Sequence, residues 1–559
     1  MRLIGSFDSI VLAAVAADLA PLTGSRVRRV SQPALHEIVL EFRAAGAPAL
    51  LCSVHPRWAR LHLAPPAAGT RRGSFAQLLH SRLEGARLTS VHRLAFERIL
   101  ALRFQTDAAG SELVAEIMGP HSNLFFLEDG VIAGSLRPVS RSSAREIGPG
   151  LAYRPPPAGH PTPAELNEDG LRALLEASGE ALAERLRSAL FGLSPTMARE
   201  VAARAGLPAT APARTVTDRA PDLLRALREL ADAVERQAYD PVIYRDEGMA
   251  RGYAPFPLRH VSGLRVEHTT TMSAAVARVT AEVSAALALD ELRATLGAAI
   301  RAAMADVDRA EGEVRRGLEE AAGGDEVRRR GELLLAYASQ IAPGSTRATV
   351  PGHDGTPVTI ALDPALTPVE NARMLFARYA KIRRARPALE ARLRALDDER
   401  DYLESSLALL EAAGSVDDLE PLREELAAEG YARPRRRRTE AVKTRRAFIL
   451  AGGATVLVGR TNRENDHITF DVAAPDDLWF HARGVAGAHV ILHSGGRAPR
   501  DDEIAQAAAI AAYFSRARSS GTVAVDYTTR RFVRKPKGGR PGLVTYERER
   551  TVRVTPGLP

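Results

Sequence analysis

Six leucines, Leu389, Leu393, Leu396, Leu403, Leu407 and Leu410, recur at alternating spacings of four and three, with Arg400 at one position of the same seam. An apolar seam of this length is stable only against a partner helix. Upstream, Leu292, Leu296, Ile300, Val307, Val314 and Leu318 supply a second, more broken seam, with Gly297, Gly312 and Gly317 along it. Between the two lie Gly323-Gly324 and a stretch rich in Pro and Gly from Pro343 to Pro368. Two long arms with a loop-forming tip between them pair most simply antiparallel. At about 1.5 Å per residue, arms of some 30 residues reach roughly 45 Å. A lever of this kind carries or tethers and seldom catalyses.

The flanks of the hairpin differ in kind. Residues 433–559 carry 24 Lys and Arg against 12 Asp and Glu, a net of about +12 in a chain whose total is +8. The same stretch shows strand and helix patterning: strands at Arg446–Leu450, Thr455–Gly459, Leu478–His481 and His489–His493, a helix at Asp502–Ala517, then strands at Thr522–Tyr527, Leu543–Tyr546 and Thr551–Val554. A basic block that folds is built to sit on a polyanion, and RNA is the leading partner. Arg530, Arg531, Arg534, Lys535, Lys537 and Arg540 crowd around Pro536 and Gly538-Gly539, where they can track a phosphate backbone with Phe532 and Tyr546 available for stacking. A solvated basic loop is the alternative. Only four lysines occur, so Arg supplies nearly all the positive charge. Arg suits bidentate phosphate recognition, although codon bias produces the same excess.

The first part of the chain alternates short strand and helix patterns. Ile10–Leu22 and Ser74–Leu83 read as helices. Arg26–Val30, Glu37–Phe42, Ala49–Val54, Arg87–His92, Arg98–Phe104, Ser111–Met118 and Ser122–Leu127 read as strands. Residues 160–235 are helical. Within them Gly192-Leu193-Ser194-Pro195 sits between two helical stretches, as in a helix–hairpin–helix that aims backbone N–H groups at phosphate, or as in an ordinary αα corner. Tyr244–Arg265 reads as extended chain returning to the first domain. The fold class is therefore multidomain α+β. The boundaries are 1–165, an α+β sheet domain; 166–240, helical; 241–272, extended; 273–432, an antiparallel coiled coil with a small tip at about 323–385; and 433–559, the basic α+β domain. Arg433-Pro434 and the arginines through Arg438 read as a hinge.

Several classes are disfavoured. Cys52 is the one cysteine, so an intrachain disulfide and a multi-Cys metal site are excluded. Asp8 and Asp18 interrupt any apolar leader, and no run approaches a membrane span, so a cytoplasmic protein is expected. His481, His489 and His493 are weak metal candidates lacking a nearby Cys. No metal or cofactor is expected.

In this setting the motifs fall into a known order. Phe7-Asp8-Ser9-Ile10-Val11-Leu12, Gln32-Pro33, Glu37-Ile38-Val39-Leu40, His55-Pro56 with Ala59-Arg60, Phe96-Glu97-Arg98-Ile99-Leu100 and Glu116-Ile117-Met118-Gly119-Pro120-His121-Ser122-Asn123-Leu124 come first. Gly192-Leu193-Ser194-Pro195, Leu362-Asp363, Asn371-Ala372 and Tyr379-Ala380-Lys381 follow. Gly459-Arg460-Thr461-Asn462-Arg463-Glu464-Asn465-Asp466, Asp477-Leu478-Trp479-Phe480-His481-Ala482-Arg483, Gly487-Ala488-His489-Val490, and Lys535-Pro536-Lys537-Gly538 with Pro541-Gly542 close the series. Collinear over more than 500 residues, they make the chain resemble the NFACT family.

The resemblance implies a factor that binds the large (50S) ribosomal subunit still carrying a stalled nascent peptidyl-tRNA. It would recruit tRNA, with tRNA-Ala the expected species, and sustain mRNA-independent addition of a C-terminal alanine tail that marks the product for proteolysis. The ribosome would make the peptide bonds, so the chain would be no enzyme itself and would act as a monomer. The resemblance puts tRNA contacts on Glu97, Arg98, Glu116, Ile117 and Met118. It puts RNA contacts on Arg460, Asn462, Asn465, Asp466, Trp479, His481, Arg483, His489, Arg530, Arg531, Arg534, Lys535, Lys537 and Arg540. Glu97 stands where the family usually has Asp. A carboxylate at Glu116 could accept from base amino groups, and apolar Ile117 and Met118 could pack on loop bases. A surface ion pair at Glu97-Arg98 and plain core at Ile117 and Met118 are the alternatives. Two rival classes are weaker. A base-excision glycosylase of related architecture needs an N-terminal proline amine, and here Arg2 and Leu3 follow Met1. A fibronectin-binding adhesin needs export.

Overall fold

The computed structural model describes residues 6–46, 48–66, 73–94, 97–105, 110–138, 145–156, 160–163, 165–190, 192–434 and 446–559. The chain divides into two compact units, residues 1–284 and 285–559.

In the first unit, helix α1 (Ser9–Leu19) starts at an N-cap, Asp8, whose carboxylate accepts from the Ile10 and Val11 amides. Then come β1 (Arg26–Ser31), β2 (Glu37–Arg43), β3 (Ala49–Ser53), β4 (Arg60–Ala64), α2 (Ser74–Leu83), β5 (Arg87–Arg93), β6 (Ile99–Gln105), β7 (Ser111–Glu116), β8 (Asn123–Glu128) and β9 (Val131–Ser135). The strands form one nine-stranded sheet in the order β4-β3-β2-β1-β5-β6-β7-β8-β9. Two meanders meet where β1 touches β5 through the single pair Arg26↔Arg87. Strands β4 and β9 were not anticipated: each is a five-residue element at a sheet edge, too short to register as alternation.

Four helices follow, α3 (Glu168–Glu176), α4 (Leu182–Ala189), α5 (Pro195–Arg204) and α6 (Ala220–Glu235). The stretch expected to be extended is instead a three-stranded sheet of β10 (Val242–Asp246), β11 (Met249–Ala254) and β12 (Arg265–His268), ordered β11-β10-β12. Glu247 and Gly248 take φ of 48° and 82°, the two consecutive left-handed residues a tight hairpin needs. One core holds this sheet, the four helices and α1 together, with Leu186, Ala198, Leu223, Val242 and Tyr244 at its centre.

Helix α7 (Met272–Ala322) opens the hairpin. With α8 (Gly324–Ala336) it makes a long bent helix, Met272–Ala336, in which an 18-residue window reaches a mean hydropathy of 1.4. That corrects the expectation that no run is apolar enough to span a membrane. Met272, Ala275, Val276, Val279 and Val283 are all buried, at the spacing of one helical face. Arg278 and Glu282 pair with Glu267 and Arg245. The run is a stripe packed on its own protein.

In the second unit, β13 (Arg347–Pro351) and β14 (Pro357–Ala361) form a small hairpin before α9 (Pro368–Ala412). Thr367 and Glu370 cap that helix reciprocally, with Pro368 at its first position. The two arms are antiparallel and in register: Arg293 donates to the Ala413 carbonyl, the Gly297 position abuts Leu410, the Gly317 position abuts Leu389, and the Gly331 position abuts Phe376. Arg400, the polar residue in the seam, pairs with Asp308 and Glu311 of the facing arm. The return arm breaks at Gly414, and Ser415 caps a separate helix, α10 (Val416–Ala428).

The C-terminal part holds β15 (Arg446–Ile449), β16 (Thr455–Val458), α11 (Asn462–His467), β17 (Leu478–Ala482), β18 (Val490–His493), α12 (Asp501–Tyr513), β19 (Val523–Thr529), β20 (Val533–Arg534), β21 (Thr545–Tyr546) and β22 (Arg550–Val554). Six strands make an antiparallel sheet, β15-β16-β18-β17-β19-β22. Helix α11, absent from the sequence reading, is a single capped turn and a half starting at Thr461. Most of the expected arginine hinge lies outside the described residues.

Candidate nucleic-acid interface

In the first unit, strand β7 ends at Glu116, and the chain then turns through Ile117 and Met118. The Ile117 amide donates to the Arg98 carbonyl at 2.9 Å, which brings Glu97-Arg98 beside Glu116-Ile117-Met118. The five candidates are thus neighbours, although the sequence separates them by some twenty residues. Their side chains behave differently. Glu116 is 4% exposed, and its Oε1 accepts from Arg145 Nη2 at 2.6 Å and from the Tyr153 hydroxyl at 2.8 Å. That carboxylate is engaged inside the protein, not offered to base amino groups. Ile117 is buried in the core, and Met118 is half-buried against Ile99 and Phe125. Glu97 is half-buried, and desolvation raises its carboxyl above the usual range despite the neighbouring Arg98. Arg98 makes no ion pair closer than 4 Å among the described residues, and its charge acts on Asp8.

Asp8 is the group the sequence reading undervalued. It is buried, burial raises its pKa, and it accepts from the Ser194 hydroxyl at 2.6 Å as well as from the α1 amides. The Ser9 hydroxyl in turn donates to the Gly192 carbonyl. Gly192 takes φ of 73°, so the turn between α4 and α5 is locked onto the start of α1. An Asp-Ser pair just before an apolar helical run is the sequence signal for this.

In the second unit the fourteen candidates separate into three sets. Asn462, Asn465, Trp479 and His489 are buried and present nothing on the outer surface. Asn462 holds the domain to α9 by bonding Ser405, Ser406 and the Tyr402 carbonyl. Asn465 accepts from the His489 amide. Burial lowers the His489 imidazole to about 3, so it is neutral. His481 is half-buried, lowered for the same reason, and stacks parallel on Trp479 at 5.7 Å.

A second set is charged but engaged. Arg460 forks onto Glu464. Asp466 receives Lys535 and the Gly542 amide. Arg530 donates to the Thr469 and Phe470 carbonyls. Arg531 pairs with Asp476, and Arg540 with Glu399 and the Tyr431 hydroxyl. His493, the third histidine weighed as a ligand, pairs with Asp477.

The third set is exposed. Arg483 reaches Asp526 only at 3.8 Å, and Arg534 and Lys537 have no acidic partner among the described residues. Sequence reading passed over Arg548, Arg550 and Arg553 of the last strand and its approach. All three are exposed, Arg548 lies over the Phe532 ring, and β22 is an edge strand of the six-stranded sheet. The pattern Arg-x-Arg-x-x-Arg next to the basic loop was the available signal.

Residues 8–445 match the NFACT N-terminal and middle domains, and residues 446–536 match the NFACT protein RNA binding domain. The chain belongs to the NFACT family. Among curated relatives of this NFACT chain, the Rqc2 homolog RqcH of Bacillus subtilis is 30% identical over 576 residues, covering 99% of this chain and 98% of that protein. The Rqc2 homolog RqcH of Streptococcus suis is 29% identical over 571 residues, with the same coverage of each chain. A solved structure, the C-terminal of the fibronectin/fibrinogen-binding protein from Streptococcus suis, is 29% identical. It covers 49% of this chain and 95% of that one at a TM-score of 0.38.

Proposed function

We propose that this NFACT chain is an RNA-binding ribosome quality-control factor. In this reading it binds large (50S) subunits that retain a stalled nascent peptidyl-tRNA and brings in tRNA, tRNA-Ala in particular. It thereby sustains alanine tailing without mRNA. The observation that carries the reading is end-to-end identity of 30% with the Rqc2 homolog RqcH of Bacillus subtilis. The exposed cations Arg483, Arg534 and Lys537 support an RNA-contacting face, since a polyanion is bound by charge that is not already neutralised within the fold.

The protein positions substrates and leaves peptide-bond formation to the ribosome. It works as a cytoplasmic monomer, with the sheet domain of residues 1–165 and the helices of 166–240 facing tRNA. The hairpin of 273–432 reaches across the subunit, and residues 433–559 hold RNA. In the tRNA site, Arg98 is the contact group and Glu97 sets its orientation, while Glu116 is a positioning residue that fixes the turn carrying Ile117 and Met118.

The test is a pulldown of tagged protein from its own cells with sequencing of the bound RNA. Large-subunit rRNA with one dominant tRNA and no small-subunit rRNA is expected. Large-subunit rRNA without tRNA would leave a docking factor that does not tail. No enriched RNA would overturn the reading and return attention to an adhesin.

A further inference from the structure

A cavity of about 380 Å³ lies within the second unit, between the base of α9 and the C-terminal sheet, with Asp398, Asp401, Trp479, His481, Arg540 and Tyr546 among its lining residues. This volume is in the range of small-ligand sites. Two features set it apart from the basic surface around it. One wall is acidic: Asp398 and Asp401 lie one turn apart on α9, and neither has a cationic partner within 4 Å among the described residues. The other wall is aromatic. Neutral His481 lies parallel on Trp479, and Tyr546 packs on the same indole at 4.9 Å, its hydroxyl tied to Asp526. Trp479 is wholly buried, and its indole N–H finds no acceptor among the described residues. A buried donor without an acceptor costs about 1–3 kcal/mol, and the residue that carries it borders the cavity.

Two unpaired carboxylates disfavour a phosphate here. They do not exclude a nucleobase whose phosphates stay outside on the cationic surface. Unstacked bases are recognised by aromatic stacking together with hydrogen bonds to their edges. Guanine presents N1–H and the N2 amino group side by side, matching the two oxygens of one carboxylate, and carries O6 and N7 as acceptors. Cytosine and adenine offer one amino group, and uracil none.

We propose that this cavity receives a single unstacked base of RNA, guanine in preference to cytosine or adenine and uracil least, with Asp398 and Asp401 reading its amino edge and His481 stacking on its face. The proposal rests on the RNA-binding reading of this domain and names what one of its sites recognises. Desolvation raises the Asp401 carboxyl, and the neighbouring acids Glu404, Asp398 and Asp397 act in the same direction, as suits a group that gains from a hydrogen-bond donor.

The chain has two tryptophans, Trp58 and Trp479, so a full-length W58F variant makes Trp479 the sole indole reporter. The probes are the RNA pentamers UUGUU, UUCUU, UUAUU and UUUUU. Overall binding is read by anisotropy of a 5′ dye, and cavity occupancy by Trp479 fluorescence. UUGUU is expected to bind about tenfold more tightly than UUUUU and to change Trp479 emission, which UUUUU does not. D398A/D401A should bring all four pentamers within about twofold of one another. H481A should weaken UUGUU, and H481F should restore it. Equal binding of the four pentamers to the parent chain, or a uniform strengthening of all four in D398A/D401A, would overturn the pocket while keeping the RNA surface. Loss of anisotropy change with every pentamer would remove the RNA reading and the pocket together. A Trp479 response to an arginine-rich peptide and to none of the RNAs would assign the cavity to a basic protein segment instead.

Discussion

The two large sheets, nine strands in the first unit and six in the second, are both antiparallel, and they handle charge in opposite ways. The N-terminal unit takes charge inward. Glu116 is satisfied by Arg145 and Tyr153, and Asp8 by Ser194 and backbone amides. The basic C-terminal part spends much of its positive charge on its own unit. Arg446, Arg463, Arg516 and Arg540 pair with Asp418 of α10, with Glu429 just after it, and with Glu404 and Glu399 of α9. What remains for a polyanion is a smaller set: Arg483, the loop after β19 and the edge strand β22. A net charge of about +12 read from sequence therefore overstates the charge available to RNA, because ion pairs inside the unit consume part of it.

The first way to break this comparison is at Glu116. Glu116→Ala removes the buried acceptor shared by the half-buried Arg145 guanidinium and Tyr153 hydroxyl, and should cost about 3 kcal/mol, read by denaturant unfolding of the first unit. A loss below about 1 kcal/mol would mean that the carboxylate is held ready for a ligand instead.

Acid should next weaken the second unit. His489 is buried neutral with a pKa of about 3, against about 6.5 in an unfolded chain. The unfolded state therefore binds the extra proton. Stability contributed by the neutral ring is present above pH 6.5 and is lost as pH falls from there toward 3. His481, also lowered by burial, adds in the same direction. Scanning calorimetry should show the second unit losing stability on acidification from pH 7 to 4.5, with His489→Gln flattening that slope; an unchanged slope would refute the assignment.

Arg530 and the pair Arg534 and Lys537 sharpen the contrast within the basic loop. Arg530→Ala removes donors to two carbonyls and should cost about 2 kcal/mol in stability without altering the salt dependence of RNA binding. Arg534→Ala/Lys537→Ala should change stability by less than about 0.5 kcal/mol and lower the salt slope by about 1 to 2. The reverse assignment would show that the internal hydrogen bonds had been misjudged. At Ser194→Ala a loss of about 1 kcal/mol is expected for the lost cap and its bond to Asp8; a stability equal to that of the parent chain would count against the Asp8 lock.

Much of the fold was legible beforehand because it follows from short-range rules. The strand at Glu37–Arg43 and the helix at Ser74–Leu83 follow from periodicity, and the pairing of α7 with α9 from two complementary seams. The edge strands β4 and β9, the sheet β10–β12 and the short helix α11 were missed, since each is too short for periodicity to mark it. The site was half legible. Glu97, Arg98, Glu116, Ile117 and Met118 do come together in space, but Ile117 is core and Glu116 is an internal acceptor. Arg530 and Lys537 look equivalent in sequence; one bonds carbonyls 60 residues away and the other faces solvent.

By itself, the sequence determined the antiparallel hairpin, the two sheet-forming ends, the family and the concentration of charge at the C-terminus, because periodicity, composition and motif order are properties of the chain alone. Only the tertiary structure decided which charges are free, that Asp8 anchors the α4–α5 turn, and that Asp398 and Asp401 of the hairpin share a cavity with Trp479 and His481. Those outcomes depend on desolvation and on partners brought from distant segments, and neither is encoded at any single position.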